Sequence, residues 1–401
     1  MSPSLPDYQS LFAATTPPRP DAVNPLAQRF KYDFAIAFAD GETFPSGDLV
    51  EALQKGLDEE GRDLAVYPHP QGHPAMRQLV ARELGRNRGM KVGADDVTLT
   101  AGSMQALVLL TELFVDPGDT VLTDEFIYNG TIRVLRRFQA NIVEVGGDDQ
   151  AMRPDLLEEK IVELKAAGER VKYIYTVPTF QNPTGLDMGA ERRARILDVA
   201  RRHGVPIFED DCYADLRFEG ENKPAIHSMD DTGSVMYCGS SSKIIGPGMR
   251  LGWIVAPPEI TERVGTLQQG ATPSQFSILA ALHYLEEHRD EHVGDVIRLY
   301  KGRRDVMLAA IGESLGPAVT CSHPPGGMFL WLRFPDGTDV MPVLEKAKGQ
   351  GIRFGPGTIF SPSGRGKNCL RLAFAHLDEE TIREGVSRLA TLFEEAGVLG
   401  A

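Results

Sequence analysis

The chain of 401 residues is 42% hydrophobic and 24% charged, an ordinary globular composition but too long for one small core. A formal net charge of -14 excludes the basic face that nucleic acid requires and fits poorly with anionic lipid headgroups. Cys212, Cys238, Cys321 and Cys369 lack paired spacing, which argues against a disulfide framework or a structural zinc site, and no run of about 18 apolar residues suits a membrane span.

In chain order, the opening "MSPSLPDYQSLFAATTPPRPDAVNPL" has no basic start followed by an apolar core. It reads as a flexible or draped arm within residues 1–44, and the expected location is the cytoplasm. Next, "DVTLT" predicts a strand and "SMQALVLLTELFV" a helix with Ser103 as its cap. The alternation continues: strand "TVLT", helix "YNGTIRVLRRFQ", strand "NIVEV", helix "RPDLLEEKIVELKAAG", strand "VKYIYTV". Helix "GAERRARILDVARRHG", closed by Gly204, leads into strand "VPIFEDD". Such alternation implies an α/β fold, a mostly parallel sheet wrapped by helices, with ligands beyond the carboxyl ends of its strands. Strands "SVMYC" and "LGWIVA" are joined by "GSSSKIIGPGMR", and two long helices follow. A tail including "GGMFLWLRF", "CLRLAFAH" and "DEETIREGVSRLATLFEEAG" predicts a smaller α+β domain. The expected division is an arm over 1–44, a large domain over 45–290 and a small domain over 291–401.

Three tempting motifs fail. "PSGRGKN" lacks the spacing of a phosphate loop, and "GPGMRLG" that of a dinucleotide loop. His288 and His292 in "EEHRDEH" lie one helical turn apart, but the charges around them read as a solvated helix face, so no metal site is assigned.

Another set survives. Lys243, Asp210, Tyr213, Asn182 of "QNPTG", and the helix start at Ser103 and Met104 each lie at or just past a predicted strand end. Pyridoxal phosphate chemistry needs an amine for the cofactor aldehyde, a carboxylate for the ring nitrogen, and amide and phenol groups for the ring oxygen. It also needs a helix amino terminus, hydroxyls and an arginine fork for the phosphate.

On "YPHPQGHPAMRQLV", "TAGSMQALVLL", "EFIYNG", "PTFQNPTG", "FEDDCYADLRF", "GSSSKIIGPGMRLGW", "PPGGMFLW" and "CLRLAFAH", the chain resembles the class I/II aminotransferases of pyridoxal-phosphate fold type I. It is nearest their 2-aminoadipate and kynurenine aminotransferase subgroup. The resemblance implies a large domain with a seven-stranded, mostly parallel sheet. It also implies amino-group transfer from an aromatic, 2-aminoadipate-like or broader range of L-amino acids to a 2-oxo acid, 2-oxoglutarate foremost. It assigns Lys243 to the cofactor's Schiff base and to proton shuttling, Asp210 to the ring nitrogen, Asn182 and Tyr213 to the ring oxygen, and Tyr128 to the ring face. Ser103, the Met104 backbone, Ser240, Ser242 and Arg250 fall to the phosphate, and Arg371 with Gly41 to the substrate carboxylate. Tyr67 falls to the neighbouring subunit's phosphate, which implies a homodimer with shared sites. Met104 departs from the glutamine common at its position, and "GETFP" from the usual Gly-x-Pro. The rivals are another pyridoxal-phosphate reaction (β-elimination, decarboxylation or oxidase-type chemistry) and a non-enzymatic regulator-like domain.

Overall fold

The structure, a computed structural model, describes residues 7–13, 15–16, 30–268 and 270–398. Much of the expected arm, residues 1–6, 14 and 17–29, lies outside the described residues.

Seven strands build the main sheet: β1 (Val97–Thr100), β2 (Thr120–Asp124), β3 (Asn141–Val145), β4 (Val171–Thr176), β5 (Ile207–Asp210), β6 (Val235–Ser240) and β7 (Gly252–Val255). Their order is β1-β7-β6-β5-β4-β2-β3. Neighbours from β6 to β3 pair in parallel, whereas β7 runs antiparallel to both β6 and β1. The reversal has a local cause. The bend over 241–251 contains no crossover helix, so the chain can only return beside β6 in the opposite direction.

The sheet is covered on both faces, and its residues alternate between them. Along β4, Tyr173 and Tyr175 enter one apolar cluster with Phe208, Met236 and Leu110. Ile174, between them, enters the other with Leu122, Ile207, Leu157 and Ile196. The crossover helices α3 (Ser103–Phe114), α4 (Asn129–Arg137), α5 (Pro154–Ala166) and α6 (Ala190–His203) supply these covers. Gly204 ends α6 at φ 62°, as expected. Ser103 does not cap α3. Gly102 stands at the cap position and Ser103 is the first helical residue.

Four strands form a smaller antiparallel sheet: β8 (Thr320–Cys321), β9 (Phe329–Arg333), β10 (Gly355–Pro356) and β11 (Cys369–Ala373), in the order β8-β9-β11-β10. Its last helix, α10 (Glu379–Glu395), starts where the Asp378 carboxylate accepts from the Thr381 amide at 2.7 Å. The two long helices expected before this sheet are one helix, α8 (Gln275–Ser314), about 60 Å long. It packs on α1 (Ser46–Glu60) and on α10, linking the two sheets; α2 (Pro74–Arg88), α7 (Pro258–Gln268) and α9 (Met341–Gly349) are the remaining α-helices among the described residues. No described helix is long and apolar enough to cross a membrane.

Candidate active site

The bend after β6 is tied to itself before it releases Lys243. Ser240 Oγ lies 2.9 Å from Ser242 Oγ and 3.1 Å from the Leu251 carbonyl oxygen, and the Ser242 amide donates to Ser240 Oγ at 3.1 Å. These bonds curl the chain over the strand end. Lys243 Nζ there donates to the Ala37 carbonyl at 3.2 Å and sits 5.9 Å from the Tyr213 ring centre. Among the described residues no carboxylate pairs with it. Burial holds its pKa below the ordinary lysine value, because a desolvated ammonium is costly.

Asp210 ends β5 beside it. The Tyr175 hydroxyl donates to Oδ2 at 2.7 Å and the Cys212 thiol lies 2.9 Å from Oδ1. Burial raises the Asp210 pKa, and these two bonds oppose that rise. The cysteines that looked scattered in sequence are not all so in space. Since β5 and β6 are neighbours, the Asp210 carboxylate and the Cys212 and Cys238 sulfurs lie within 4.8 Å of one another.

Asn182, past the end of β4, bridges two groups. Its Nδ2 donates to the Tyr213 hydroxyl at 3.2 Å, and its Oδ1 accepts from Arg371 Nη1 at 2.7 Å. Arg371 reaches in from β11 of the small sheet. Its guanidinium lies 4.6 Å from the Phe329 ring centre and 4.7 Å from that of Phe360. Its Nη2 donates to the Ala35 carbonyl, and its Nε is buried with no partner. Burial brings the Arg371 pKa down to about 10.

Close packing of backbone shapes the third corner. Gly102, at φ 81°, leads into α3, and a Cβ there would meet Arg250 Nη2 at 2.8 Å. A Cβ on Gly252 would lie 2.9 Å from the Ser103 nitrogen. Both positions require glycine if the α3 amino terminus, whose first N–H groups have no acceptor within the helix, is to sit beside Arg250. Arg250 itself holds φ 50° and donates to the Ala101 carbonyl. Tyr128 precedes α4, and its ring and the Met104 Cε lie over Gly130, in the space a side chain there would take.

Thus Lys243, Asp210, Tyr213, Asn182, Arg371, Ser240, Ser242, Arg250, Ser103, Met104 and Tyr128 converge at the strand ends. Two other residues do not join them. Tyr67 is 93% exposed, and Gly41 lies exposed with no hydrogen bond to the cluster. The arm residues that touch the cluster are Ala35 and Ala37, through carbonyls. Sequence reasoning missed these, as well as Tyr175, Cys212, Phe329 and Phe360. The first of the two aromatic residues of "GGMFLW" was the available signal for Phe329; nothing local marks the two alanines. His292 is a further correction. It is buried, not solvated, with Nδ1 2.9 Å from the Tyr284 hydroxyl and Nε2 2.9 Å from the Ile244 carbonyl. His288 is exposed, as expected.

Residues 36–389 match the model of the family described as aminotransferase class I and II. The aromatic-amino-acid aminotransferase 1 of Thermococcus litoralis is 36% identical over 357 residues, which cover 88% of this chain and 86% of that protein. The 2-aminoadipate transaminase of Thermus thermophilus is 33% identical over 364 residues, covering 88% and 89%. A crystal structure of the Pyrococcus horikoshii kynurenine aminotransferase, in complex with PMP and kynurenine, superposes with a TM-score of 0.91 at 32% identity, covering 97% of this chain and 98% of that one. The chain is a member of the class I and II aminotransferase family, with the fold-type I architecture and an amino-group transfer activity.

Proposed function

We propose that this chain moves the amino group of an aromatic or 2-aminoadipate-like L-amino acid to a 2-oxo acid, 2-oxoglutarate foremost, on pyridoxal phosphate held in the cluster just described. One observation carries the reading: Lys243, Arg250 and Arg371 converge on one site, and none has a carboxylate partner among the described residues. The residues fit the cofactor. Gly102 and Gly252 leave room for the α3 amino terminus to meet an anion beside Arg250, and the orphaned Arg371 Nε is a donor still to be used.

When bound, pyridoxal phosphate supplies an aldehyde carbon for the amino nitrogen and a ring that draws electrons away from the substrate Cα. The rest falls to the chain. Ser240, Ser242, Arg250, Ser103 and the Met104 amide would hold the phosphate. Asp210 would accept from the ring nitrogen, Asn182 and Tyr213 would bind the ring oxygen, and Tyr128 would cover the ring. Arg371 would take the substrate carboxylate with its planar fork; the expected Gly41 contact has no support in the geometry, where Gly41 stands apart from the cluster. Burial lowers the Lys243 pKa, so its amine gives up a proton more readily than an exposed lysine, which suits a nucleophile and then the base that takes the Cα proton and returns one.

The exposed Tyr67 phenol supports a homodimer in which it reaches the partner's phosphate. The proposed division is an arm over 1–44, of which only 7–13, 15–16 and 30–44 are among the described residues, a large domain over 45–290 and a small one from 291, with the boundary inside α8. The protein works in the cytoplasm, and its partners are the amino acid and 2-oxo acid substrates. An amino-donor panel with 2-oxoglutarate tests the reading: glutamate should form in step with each new 2-oxo acid. Ammonia or carbon dioxide released without glutamate would replace transfer by a rival reaction.

A further inference from the structure

Asp210 faces the candidate site from the end of β5, and each of its oxygens is held by a side chain. Tyr175, one strand away on β4, donates to Oδ2 at 2.7 Å. Thr131 of α4 in turn donates to the Tyr175 hydroxyl at 3.0 Å, so the phenol's own proton is committed to Asp210. The Cys212 sulfur lies 2.9 Å from Oδ1. A sulfur that close to a carboxylate oxygen is held there by its S–H proton.

We propose that Cys212 and Tyr175 are positioning residues that grip the two oxygens of Asp210 and thereby set how tightly it holds the ring nitrogen of pyridoxal phosphate. The inference rests on the cofactor reading above. Neither residue touches the reacting atoms; both act through the aspartate.

The surroundings make two donors necessary. The titratable groups beside Asp210 are Tyr175 from β4, Cys212 and Tyr213 from the turn after its own strand, Cys238 from β6, and Lys243 beyond β6; Asp211, next in the chain, points to the other face but lies near enough to act on it. Burial opposes ionisation of Asp210, and Asp211 adds to that; the bonds from Cys212 and Tyr175 favour it. The Cys212 thiol is itself kept protonated, first by its contact with Cys238 and then by burial, so it can donate and does not add a second negative charge. Two such bonds fix the carboxylate in rotation and favour its ionised form against burial, and a ring-nitrogen cation needs both.

The test uses full-length protein stripped of cofactor and titrated with pyridoxal phosphate, followed by visible absorbance across the mildly acidic to mildly basic range. Cys212→Ala and Tyr175→Phe should each weaken cofactor binding about tenfold near neutral pH, the worth of one hydrogen bond to a charged group. In both, the fall in affinity on acidification should begin at higher pH than in the parent, since losing a donor makes Asp210 easier to protonate. Cys212→Ser, which keeps a donor of similar size, should restore affinity to within about threefold. Parental affinity and pH profile in both Cys212→Ala and Tyr175→Phe would overturn the proposal. So would equal losses in Cys212→Ala and Cys212→Ser, which would mark a packing role. If the parent protein took up no pyridoxal phosphate at all, the cofactor reading would fail instead, and the two failures are distinguishable.

Discussion

Glu209, Asp210 and Asp211 are consecutive, yet they belong to two different electrostatic worlds. Strand alternation turns Glu209 and Asp211 to one face and Asp210 to the other. On the first face charges are closed against each other. Arg88 pairs with Asp211, the Tyr237 hydroxyl adds a bond at 3.3 Å, and Glu209 accepts the Ile226 and His227 amides at 2.8 and 2.9 Å. Arg193 lies among them, 3.4 Å from Asp187. On the second face, among the described residues, Lys243, Arg250 and Arg371 find only neutral oxygens, and Asp210 only neutral donors. The first arrangement pairs its charges within the fold, although Arg88 Nε and Asp211 Oδ1 are buried with no hydrogen-bond partner. The second is open, and burying open charges is costly unless a ligand supplies their partners.

The comparison breaks most visibly at two positions. Lys243→Ala should abolish turnover in a transamination assay while circular dichroism and unfolding remain near the parent's, because a desolvated amine with a lowered pKa contributes little to the fold. Arg88→Met should do the reverse in kind. Leaving Asp211 buried without its cation should cost about 3–5 kcal/mol in denaturant unfolding. If Arg88→Met were as stable as the parent, the first face would not be the closed network described.

Asp124, at the end of β2, is an intermediate case: a buried acid held by neutral donors, with Thr176 Oγ1 at 2.8 Å and the Met152 amide at 3.2 Å. Burial pushes its pKa up to about 6. An acid raised in the folded state binds more protons there than when unfolded, so stability falls as pH rises from about 4 through about 6, by up to about 3 kcal/mol. Asp124→Asn should flatten that fall in unfolding curves of cofactor-free protein. A slope unchanged by the substitution would contradict the assignment. Smaller again is Arg371→Lys. Losing the planar fork should lower kcat/KM about tenfold to a hundredfold, chiefly by raising KM for the amino acid, because an ammonium cannot bind a carboxylate side-on. An unchanged KM would remove Arg371 from the substrate site.

How much of this could be read from the sequence differs by face in the same way. Lys243, Asp210 and Asn182 were legible because each follows an apolar run, and strand ends are where such a sheet gathers its ligands. The alternation that built the sheet was legible for the same reason, since period and length mark strands and helices. Tyr175 and Cys212 were not legible as a pair, because which side chains flank Asp210 depends on strand order and register across the sheet. Ala35 and Ala37 contribute only carbonyls, which no side-chain pattern can reveal. His292 misled because its charged neighbours in sequence face water while its own ring turns inward to Tyr284 and Ile244. The 40-residue α8 read as two helices divided at Gly294–Val296; a glycine there weakens the local helical pattern, but the helix runs through it and packs on both α1 and α10.

The central claim is that the open face holds a covalently attached cofactor at one amine. Protein supplied with pyridoxal phosphate, reduced with borohydride, digested and mapped by mass spectrometry tests it most directly. A single phosphopyridoxyl group on Lys243 is the predicted result. Label absent from Lys243, or present only on exposed lysines, would contradict it.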